Sequence, residues 1–423
     1  MLHGLTRGLL AAQAAARKPL ALMYIGRHRS KFHYQYIEDL RGPNGMMPAK
    51  PVGAVITDNR MTREILRDHR FIAYTPPNFP YPAPLRWALR WTDPGLPNPI
   101  EAPAMLALDP PEHARFRKLV SGAFTARAIG TLEERIHSVT NELLDDLEHV
   151  DEADLITAYA NRIPIAIIAE ILGLARSDAP LLLELGNRIV ALLDIGQSWK
   201  AYRDAISALE EIDQYFDAHL HMLKRAIAEG SATEGILTSL VRDGDLSDRE
   251  LKATMSLLLG AGFETTVNLI GNGIVALLQN PRQLAYLREK PDSWPNAIEE
   301  VLRYDAPVQV TGRIAGESIV VQGHSFVPGD LIVLLLGGAN RDPAVFERPH
   351  EFDVARGNAR EHLAFSSGAH ACLGASLARM EGLIAIRSLF ERYPNICLTA
   401  DPTPDKYVNL RGVDSLPVTL GHR

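Results

Sequence analysis

One short run of the chain concentrates residue types that could hold a metal. Residues 365–374 read Phe-Ser-Ser-Gly-Ala-His-Ala-Cys-Leu-Gly, so that Cys372 lies between Gly368 and Gly374. Glycines let a backbone curl closely around a sulfur atom, and Phe365 can cover that atom with an apolar wall. A thiolate held in this way, with a lone pair directed outward, suits a metal in a flat macrocycle. The run therefore indicates that Cys372 is a metal ligand.

Two simpler interpretations of Cys372 compete with this one. A lone cysteine is most often a small buried apolar residue. A zinc site needs about four ligands at regular spacing, whereas His370 and Cys372 supply two and Cys397 is the only other cysteine. The spacing therefore favours a metal in a macrocycle over zinc.

A second constellation stands in a long apolar stretch, where residues 257–266 read Leu-Leu-Leu-Gly-Ala-Gly-Phe-Glu-Thr-Thr. A glycine inside a helix costs about 1 kcal/mol relative to alanine, so Gly260 and Gly262 need a reason. The missing side chains open the helix surface, and a threonine hydroxyl can distort the helix by bonding a preceding carbonyl. The pattern predicts a groove rimmed by a hydroxyl and a carboxylate. The alternative is a packing notch for a crossing helix.

Both runs resemble motifs of the cytochrome P450 family. The first matches the haem-ligand pattern Phe-x-x-Gly-x-x-x-Cys-x-Gly at every fixed position, although Ser366 stands where many bacterial members carry glycine. The second matches the oxygen-binding pattern Ala/Gly-Gly-x-Asp/Glu-Thr-Thr. The resemblance implies that Cys372 ligates haem iron. The residues that it assigns to the oxygen side are the hydroxyl of Thr265, the proton-relay acid Glu264, and the groove formers Ala261 and Gly262.

The resemblance also supplies partners for the two haem propionates, which need cations or strong hydrogen-bond donors. The expected residues are His113, Arg117, Arg313 and His370. Each of them alone could be an ordinary surface charge, but all stand in the expected order. The resemblance spans roughly residues 105–420.

A third set resembles the structural scaffold of the family. Glu300 and Arg303 stand three residues apart on a predicted helix, a spacing that by itself indicates a solvated surface pair. Together with the run Asn-Arg-Asp-Pro at 340–343 and with Arg356, the pair resembles an ion-pair triad. The resemblance implies that these three charged residues steady the Cys372 loop and take no part in catalysis.

The resemblance places the substrate against mostly apolar residues. Those expected to line the distal pocket are Leu257, Ala261, Val308, Gln309 and Leu410. Because none of them is charged, a lipid-like, steroid-like or polyketide-like ligand is favoured over a polar metabolite, although each residue could equally belong to the core. The stretch 76–103 holds nine prolines and several large apolar side chains, and it is the expected lid of this pocket.

The implied activity is that of a bacterial haem-thiolate monooxygenase, which uses haem b to insert one oxygen atom from O₂ into a C–H bond. Electrons are expected from an acidic ferredoxin with an NAD(P)H-dependent reductase. The expected docking surface is the basic segment that contains Arg115, Arg117, Lys118 and Arg127. Two alternatives stay open: a hydrogen-peroxide-driven peroxygenase of the same fold, and a haem-based sensor or ligand-binding protein without turnover.

The elements that must position these residues are mostly helical. Apolar residues recur at helical spacing over 112–148, 155–172, 177–195, 200–229, 248–280, 281–304 and 369–393. Strand patterns are short and lie at 319–321, 331–336, 396–398 and 416–420. Ser247 and Glu250 form a capping box ahead of the helix predicted from 248. The pattern predicts a mainly α fold with a small β region, and one cytochrome P450-like domain over residues 1–423, because no linker divides the chain.

Composition and charge exclude several classes of protein. The chain has 423 residues, of which 46% are hydrophobic and 22% charged, so it is globular rather than disordered. A net charge of −7 argues against nucleic-acid binding, and two cysteines favour a reducing, cytoplasmic setting. Residues 1–45 are basic, and their apolar stretches are shorter than the roughly 20 residues that span a bilayer. We expect a monomer without a transmembrane segment, in which this basic segment is a capping helix or, alternatively, lies on a membrane surface.

Overall fold

Helices make up most of the described chain. The computed structural model describes residues 2–25, 33–49, 53–75, 95–194, 197–233 and 235–421. In chain order its helices are α1 (Leu2–Ala15), α2 (Pro19–Ile25), α3 (His33–Asp39), α4 (Asn59–Arg67), α5 (Glu112–Ala123), α6 (Ala126–Gly130), α7 (Glu133–Asp146), α8 (Arg162–Ile171), α9 (Ala179–Ile189), α10 (Trp199–Ala228), α11 (Ile236–Asp243), α12 (Asp248–Gln279), α13 (Pro281–Glu289), α14 (Trp294–Tyr304), α15 (Leu336–Ala339) and α16 (Ala375–Arg392). This helix-rich architecture confirms the predicted fold class.

The strands are short and gather in small sheets. They are β1 (Met46–Pro48), β2 (Ala54–Ile56), β3 (Phe71–Ala73), β4 (Glu152–Asp154), β5 (Val310–Ala315), β6 (Ile319–Val321), β7 (His324–Phe326), β8 (Leu331–Leu335), β9 (Cys397–Leu398), β10 (Thr403–Pro404), β11 (Val413–Ser415) and β12 (Pro417–Thr419). One sheet has the order β1-β2-β8-β5-β3, in which β2 and β8 run parallel. A second sheet has the order β4-β12-β9, and two further pairs are β6 with β7 and β10 with β11. The first sheet therefore joins early strands to late ones.

The helix that carries the predicted oxygen-side residues, α12, lies in the core. It begins at Asp248 behind the predicted capping box: the Ser247 hydroxyl accepts from the Glu250 N–H, and the Glu250 carboxylate accepts from the Ser247 N–H. Among the described residues, α12 is the one helix that is long and apolar enough to cross a membrane, but most of that apolar stretch is buried inside the protein. It packs against α8, α9, α10, α14 and α16. We therefore assign it as a core helix.

Element boundaries differ from the prediction where a turn interrupts a helical pattern. The stretch 112–148 breaks into α5, α6 and α7, because the Thr125 hydroxyl caps a new helix by accepting from the Ala128 N–H. The strand predicted at 319–321 is present as β6, whereas nothing in the sequence pattern indicates β1, β2 and β3. Two of these strands pair with strands far along the chain, β2 with β8 and β3 with β5, and such pairing leaves no local pattern.

A buried carboxylate, Glu300 on α14, ties this helix to the irregular segment 340–356. It accepts from Arg303 Nε at 2.7 Å and from Arg356 Nε at 3.1 Å. Glu300 and Arg303 are fully buried and Arg356 nearly so. Two buried cations here share one anion, so main-chain carbonyls must supply further acceptors. Those of Arg303 are Asn340, Pro349 and Glu351. The structure thus brings together the three members of the predicted triad.

Candidate functional site

Cys372 lies in a closed loop and remains accessible. Its N–H donates to the carbonyl of Phe365 at 2.9 Å, which closes the loop. The Cys372 side chain is exposed to solvent, yet burial among protein atoms raises the pKa of its thiol, against opposing contributions from the Gly374 N–H and the charges of Arg117 and Arg379. Because the Cys372 residue keeps this exposure, it does not fill the core as a packing residue. Within the described part of the chain, no group of three or more His, Cys, Asp or Glu side chains could hold a metal ion.

Gly368 is required by both its backbone angle and its neighbour. Its φ is +72°, a left-handed conformation that residues with a Cβ rarely adopt. A Cβ atom at this position would also lie 2.3 Å from the carbonyl oxygen of Leu66 on α4. The first glycine of the motif therefore allows α4 to pack directly against the Cys372 loop.

The departure from the family motif coincides with local strain. Ser366 has a φ of 61°, which places a residue with a Cβ in the left-handed region. Its N–H donates to the carbonyl of Leu363 at 2.8 Å. This conformation costs about 1–2 kcal/mol for an ordinary L-residue, and the glycine common at this position would avoid the cost. The loop is therefore held in its shape by its surroundings.

One face of α12 stays open although the rest of this part of the helix is buried. The residues that keep solvent-accessible surface are Leu257, Leu258, Ala261, Gly262, Glu264 and Thr265, whereas the residues between them on the other faces are buried. Their spacing of three and four places them on a single stripe. The predicted groove is thus an accessible strip along a core helix, bearing one carboxylate and one hydroxyl.

The glycines of this strip also serve packing. The Thr265 hydroxyl donates to the carbonyl of Ala261 at 2.7 Å, as the pattern predicts. A Cβ atom at Gly262 would lie 3.1 Å from Ile168 of α8, and one at Gly260 would lie 3.4 Å from Ile189 of α9. The groove and the packing notch are therefore both present, on different sides of the same segment.

Glu264 has the environment of a proton-transfer group. Burial raises the pKa of its carboxyl to about 7, the Asp414 charge adds to this, and Asn268 and Lys406 oppose it. Burial, with a smaller contribution from Glu264, also raises the pKa of Asp405 well above its usual value. An acid that titrates near neutral pH can both hold and release a proton under working conditions.

The expected propionate ligands form a positively charged cluster. The rings of His113 and His370 are 4.2 Å apart, and burial followed by the charge of Arg313 lowers the pKa of His370 to about 3. His113 and Arg313 are almost fully buried, and Nε2 of His113 has no hydrogen-bond partner among the described residues. Asp109 is the carboxylate that partly offsets these charges. A buried donor set with so little negative charge suits the two carboxylates of a haem.

Two of the remaining predicted pocket residues pair with each other. Val308 and Leu410 form an isolated antiparallel bridge, in which Leu410 is buried and Val308 half-buried. This bridge attaches the segment before β5 to the segment before β11. The part of the expected lid at 76–94 lies outside the described residues.

Gln309 adjoins this bridge, but its side chain contacts protein rather than an open pocket. It is fully buried. Its amide oxygen lies 3.0 Å from Nε2 of His33, and its amide nitrogen donates to the carbonyl of Ala306 at 2.7 Å and to the Tyr34 hydroxyl at 3.2 Å. Both ends of the amide are therefore occupied by protein, and Gln309 fastens α3 to the core.

The basic segment expected to dock a partner is only partly free. Arg115 binds the Glu250 carboxylate at 2.5 Å and the Asp245 carbonyl at 3.1 Å. Lys118 and Arg127 are exposed. The positive charge available to a partner on this segment is therefore carried by these two residues.

No sequence motif predicts several charged residues of the site. Beside Phe365, a network of ion pairs joins Glu299 to His362 and Arg379. Near Glu264, the charges of Asp405 and Asp414 interact with its carboxyl. The one signal in the sequence is that Glu299 adjoins Glu300, so that two acids follow each other on a buried helix.

Comparison with known proteins agrees with these observations. The family model described as cytochrome P450 matches residues 89–293 and 294–415. A putative cytochrome P450 140 of Mycobacterium tuberculosis (strain ATCC 25618 / H37Rv) is 38% identical over 427 residues, which cover 99% of this chain and 96% of that protein. The 6-deoxyerythronolide B hydroxylase of Saccharopolyspora erythraea is 38% identical over 320 residues, 74% of this chain and 76% of that protein.

Solved structures show the same architecture. P450BioI, in complex with an acyl carrier protein ligated to hexadec-9Z-enoic acid, superposes with a TM-score of 0.81 and 32% identity, covering 92% of this chain and 98% of that one. Epothilone D-bound P450epoK superposes with a TM-score of 0.83 and 28% identity, covering 96% of this chain and 99% of that one. The likeness therefore extends over nearly the whole chain.

The strain at Ser366 and the close contact at Gly368 predict opposite effects of two substitutions. Ser366→Gly should stabilise the protein by about 0.5–1 kcal/mol, since relief of the left-handed conformation outweighs the greater freedom of glycine in the unfolded chain. Gly368→Ala should destabilise it, because the added methyl group meets the Leu66 carbonyl. Urea unfolding midpoints measured at constant slope give both values. A Ser366→Gly protein that is less stable than the wild type would contradict the strain argument.

Proposed function

Because the chain belongs to the cytochrome P450 family and is a haem-thiolate monooxygenase, we propose that it inserts one oxygen atom from O₂ into a C–H bond of an apolar substrate, with electrons from an external ferredoxin. The observation that carries this proposal is the pairing of an accessible thiol in a closed loop with an accessible strip on a core helix. The first supplies a metal ligand. The second supplies a hydroxyl and a carboxylate that titrates near neutral pH.

The proximal residues would hold haem b and set the electron donation of its ligand. Bound haem supplies O₂ activation and oxygen transfer. The Cys372 thiolate would donate electron density to the bound metal, and the N–H of Gly374 would moderate that donation by hydrogen bonding to the sulfur. The residues that would bind the propionates are His113, Arg117, Arg313 and His370. The unpartnered Nε2 of His113 supports this assignment.

The distal residues would hold and deliver protons. The Thr265 hydroxyl donates to the Ala261 carbonyl, so its oxygen can in turn accept a hydrogen bond from a donor in the groove. Glu264 follows directly before it in the chain and holds a proton below about pH 7. We assign Glu264 as the proton source and Thr265 as the hydroxyl that orients the proton's acceptor. Ala261 and Gly262 would leave room for O₂ between these groups and the haem.

The substrate would lie against the open strip and the Val308–Leu410 bridge. The lining that we retain is Leu257, Ala261, Val308 and Leu410, all of them apolar, while Gln309 is withdrawn from it. Solved neighbours are described as bound to epothilone D, testosterone, and an acyl carrier protein ligated to hexadec-9Z-enoic acid. Their ligands are lipid-like, steroid-like or polyketide-like, which supports the same classes here.

The electron donor would be an acidic ferredoxin with an NAD(P)H-dependent reductase. The exposed Lys118 and Arg127 support docking on α5 and α6, although the net charge of the chain is −7. Arg115 contributes less than expected because Glu250 neutralises it. We place the enzyme in the cytoplasm as a monomer.

Thiolate ligation is tested by spectroscopy of the reduced, carbon-monoxide-bound protein. The wild type should show the red-shifted Soret band of a thiolate-ligated haem, and Cys372→Ala should abolish it. Cys397→Ala is the matched control, because it removes the other cysteine and should leave the band unchanged. A wild-type protein without this band would overturn the proposed function.

The substrate class is tested by titrating candidate ligands into the oxidised, haem-loaded protein. Hexadec-9Z-enoic acid, testosterone and epothilone D, titrated separately, should include at least one probe that converts low-spin to high-spin haem. Turnover of that probe with ferredoxin, reductase and NAD(P)H then identifies a monooxygenase. Turnover with hydrogen peroxide alone identifies a peroxygenase, and binding without product identifies a sensor.

The pKa of Glu264 predicts the pH dependence of coupling, which is the amount of product formed per NAD(P)H consumed. Glu264 is protonated below about pH 7, so coupling should fall severalfold between pH 6 and pH 8 as the proton is lost. Glu264→Gln should be poorly coupled and independent of pH over this range, whereas the exposed-acid control Asp401→Asn should follow the wild type. Wild-type coupling in Glu264→Gln would remove Glu264 from the relay.

Docking of an acidic partner predicts a dependence on ionic strength. Ferredoxin-driven reduction should slow as salt is raised, because screening weakens attraction between exposed charges. Lys118→Glu combined with Arg127→Glu should slow reduction at low salt and flatten the salt dependence. Arg203→Glu on α10 is the control for a change in total charge. A rate that responds to neither salt nor charge reversal would place the docking surface elsewhere.

A further inference from the structure

A second charge network, built around a buried carboxylate, lies beside the Cys372 loop and is separate from the Glu300 triad. Its centre is Glu299, which is almost fully buried. The Glu299 carboxylate accepts from Arg379 Nε at 2.7 Å and from Arg379 Nη2 at 3.1 Å, and it lies 3.0 Å from Nε2 of His362. Arg360, which is exposed, approaches it at 3.8 Å. We call Glu299, His362 and Arg379 the Glu299 network.

The protonation of His362 follows from its two neighbours. Its Nδ1 accepts a hydrogen bond from the Ala364 N–H at 3.1 Å, so this nitrogen carries no proton. Nε2 must then carry the hydrogen that it donates to Glu299. Burial lowers the pKa of His362, which agrees with a neutral ring. His362 therefore links the carboxylate to the backbone one residue before Phe365 without adding charge.

Arg379 carries the positive charge of the network to the sulfur side. Its guanidinium carbon lies 4.5 Å from the centre of the Phe365 ring, and the Phe365 carbonyl accepts from the Cys372 N–H at 2.9 Å. The guanidinium charge of Arg379 thus lies against the residue whose carbonyl holds the backbone of Cys372. The Arg379 side chain is 37% exposed, which leaves Glu299 as its main counter-charge in the described residues.

Together, the Glu299 network holds one anion, one cation and one neutral donor. Hydrogen bonds from its partners hold the pKa of Glu299 at about 2, so its charge is present at all working pH values. The cation of the network is the member that contacts the Phe365 ring. The network therefore places a compensated charge pair, with its positive end forward, beside the metal ligand.

We propose that the Glu299 network sets the reduction potential of the haem by fixing the net charge beside Cys372, with Glu299 and His362 as positioning residues for Arg379. This inference rests on the proposed haem-thiolate function and adds a determinant of potential to it. Reduction adds one electron to the site, so a nearby positive charge favours the reduced state and a nearby negative charge opposes it. Because the two charges oppose each other, the pair shifts the reduction potential less than either Glu299 or Arg379 would alone.

The proposal predicts opposite shifts from the two halves of one ion pair. Glu299→Gln leaves the Arg379 charge uncompensated and should raise the potential. Arg379→Gln leaves the Glu299 charge uncompensated and should lower it. Each single variant should change the equilibrium constant for one-electron reduction at least threefold, which is about 28 mV at ~59 mV per tenfold change. The double variant restores neutrality and should return close to the wild-type value.

The experiment is a spectroelectrochemical titration of the substrate-free, haem-loaded proteins at one fixed salt concentration. Arg379→Lys keeps the charge and loses the paired hydrogen bonds, so it should stay near the wild type. Arg387→Gln, which breaks an exposed pair with Glu391 on the same helix, is the control for charge. Shifts of equal sign in the two single variants, no shift in either, or a shift in Arg379→Lys as large as in Arg379→Gln would overturn the proposal.

The same measurements separate this inference from the proposed function. If the wild type shows the thiolate spectrum but the variants keep its potential, only the role of the Glu299 network is refuted. If the wild type lacks that spectrum, the proposed function and the role of the network are both refuted. If one single variant fails to retain haem, the other single variant decides, because each should shift the potential from the wild-type value in its own predicted direction.

Discussion

The structure on the sulfur side of the site depends on a carboxylate that cannot reach water. Glu300 binds two guanidinium groups in the core, and loss of one partner from a buried ion pair typically costs about 3–5 kcal/mol. Arg303 continues the connection, because it donates to the carbonyl of Asn340, whose side-chain oxygen accepts from the N–H of Leu363 at 2.6 Å. A chain of hydrogen bonds thus runs from α14 to the first residues of the Cys372 loop. The irregular segment between them is ordered by charge rather than by regular secondary structure.

Charge is balanced differently on the two sides of the Cys372 loop. Beside Phe365, Arg379 is paired with Glu299 at 2.7 Å. Around His113, Arg313 and His370, one carboxylate, Asp109, offsets the positive charge only in part. The first arrangement is complete within the protein, whereas the second still needs an anion. The Glu299 network can therefore adjust the electrostatics at Cys372, whereas the positively charged cluster can bind an anionic group such as a haem propionate.

Features that depend on residues close together in the chain can be predicted from the sequence. The start of α12 follows from Ser247 and Glu250, which are three residues apart, and the closed loop around Cys372 follows from its glycines. Interactions between distant segments leave no such trace: Glu299 and Arg379 are 80 residues apart, and His33 and Gln309 are 276 apart. The family resemblance predicts Gln309 in the pocket, but its amide is bonded to α3, a segment whose position no local pattern shows. The strain at Ser366 is an intermediate case, since the motif marks the position and the structure supplies the backbone angle.

The parallel pairing of β2 with β8 has a consequence for biosynthesis. Ile56 and Leu334 lie side by side in the sheet, and the Asn59 N–H at the start of α4 donates to the Asp342 carboxylate at 2.9 Å. A ribosome adds roughly 5–20 residues per second, so β2 emerges about 14–55 seconds before β8 exists. During that interval an apolar strand with unpaired hydrogen-bonding groups is available to other chains. The order of translation therefore keeps the first sheet incomplete until β8 has been made, and its early strands need protection during that interval.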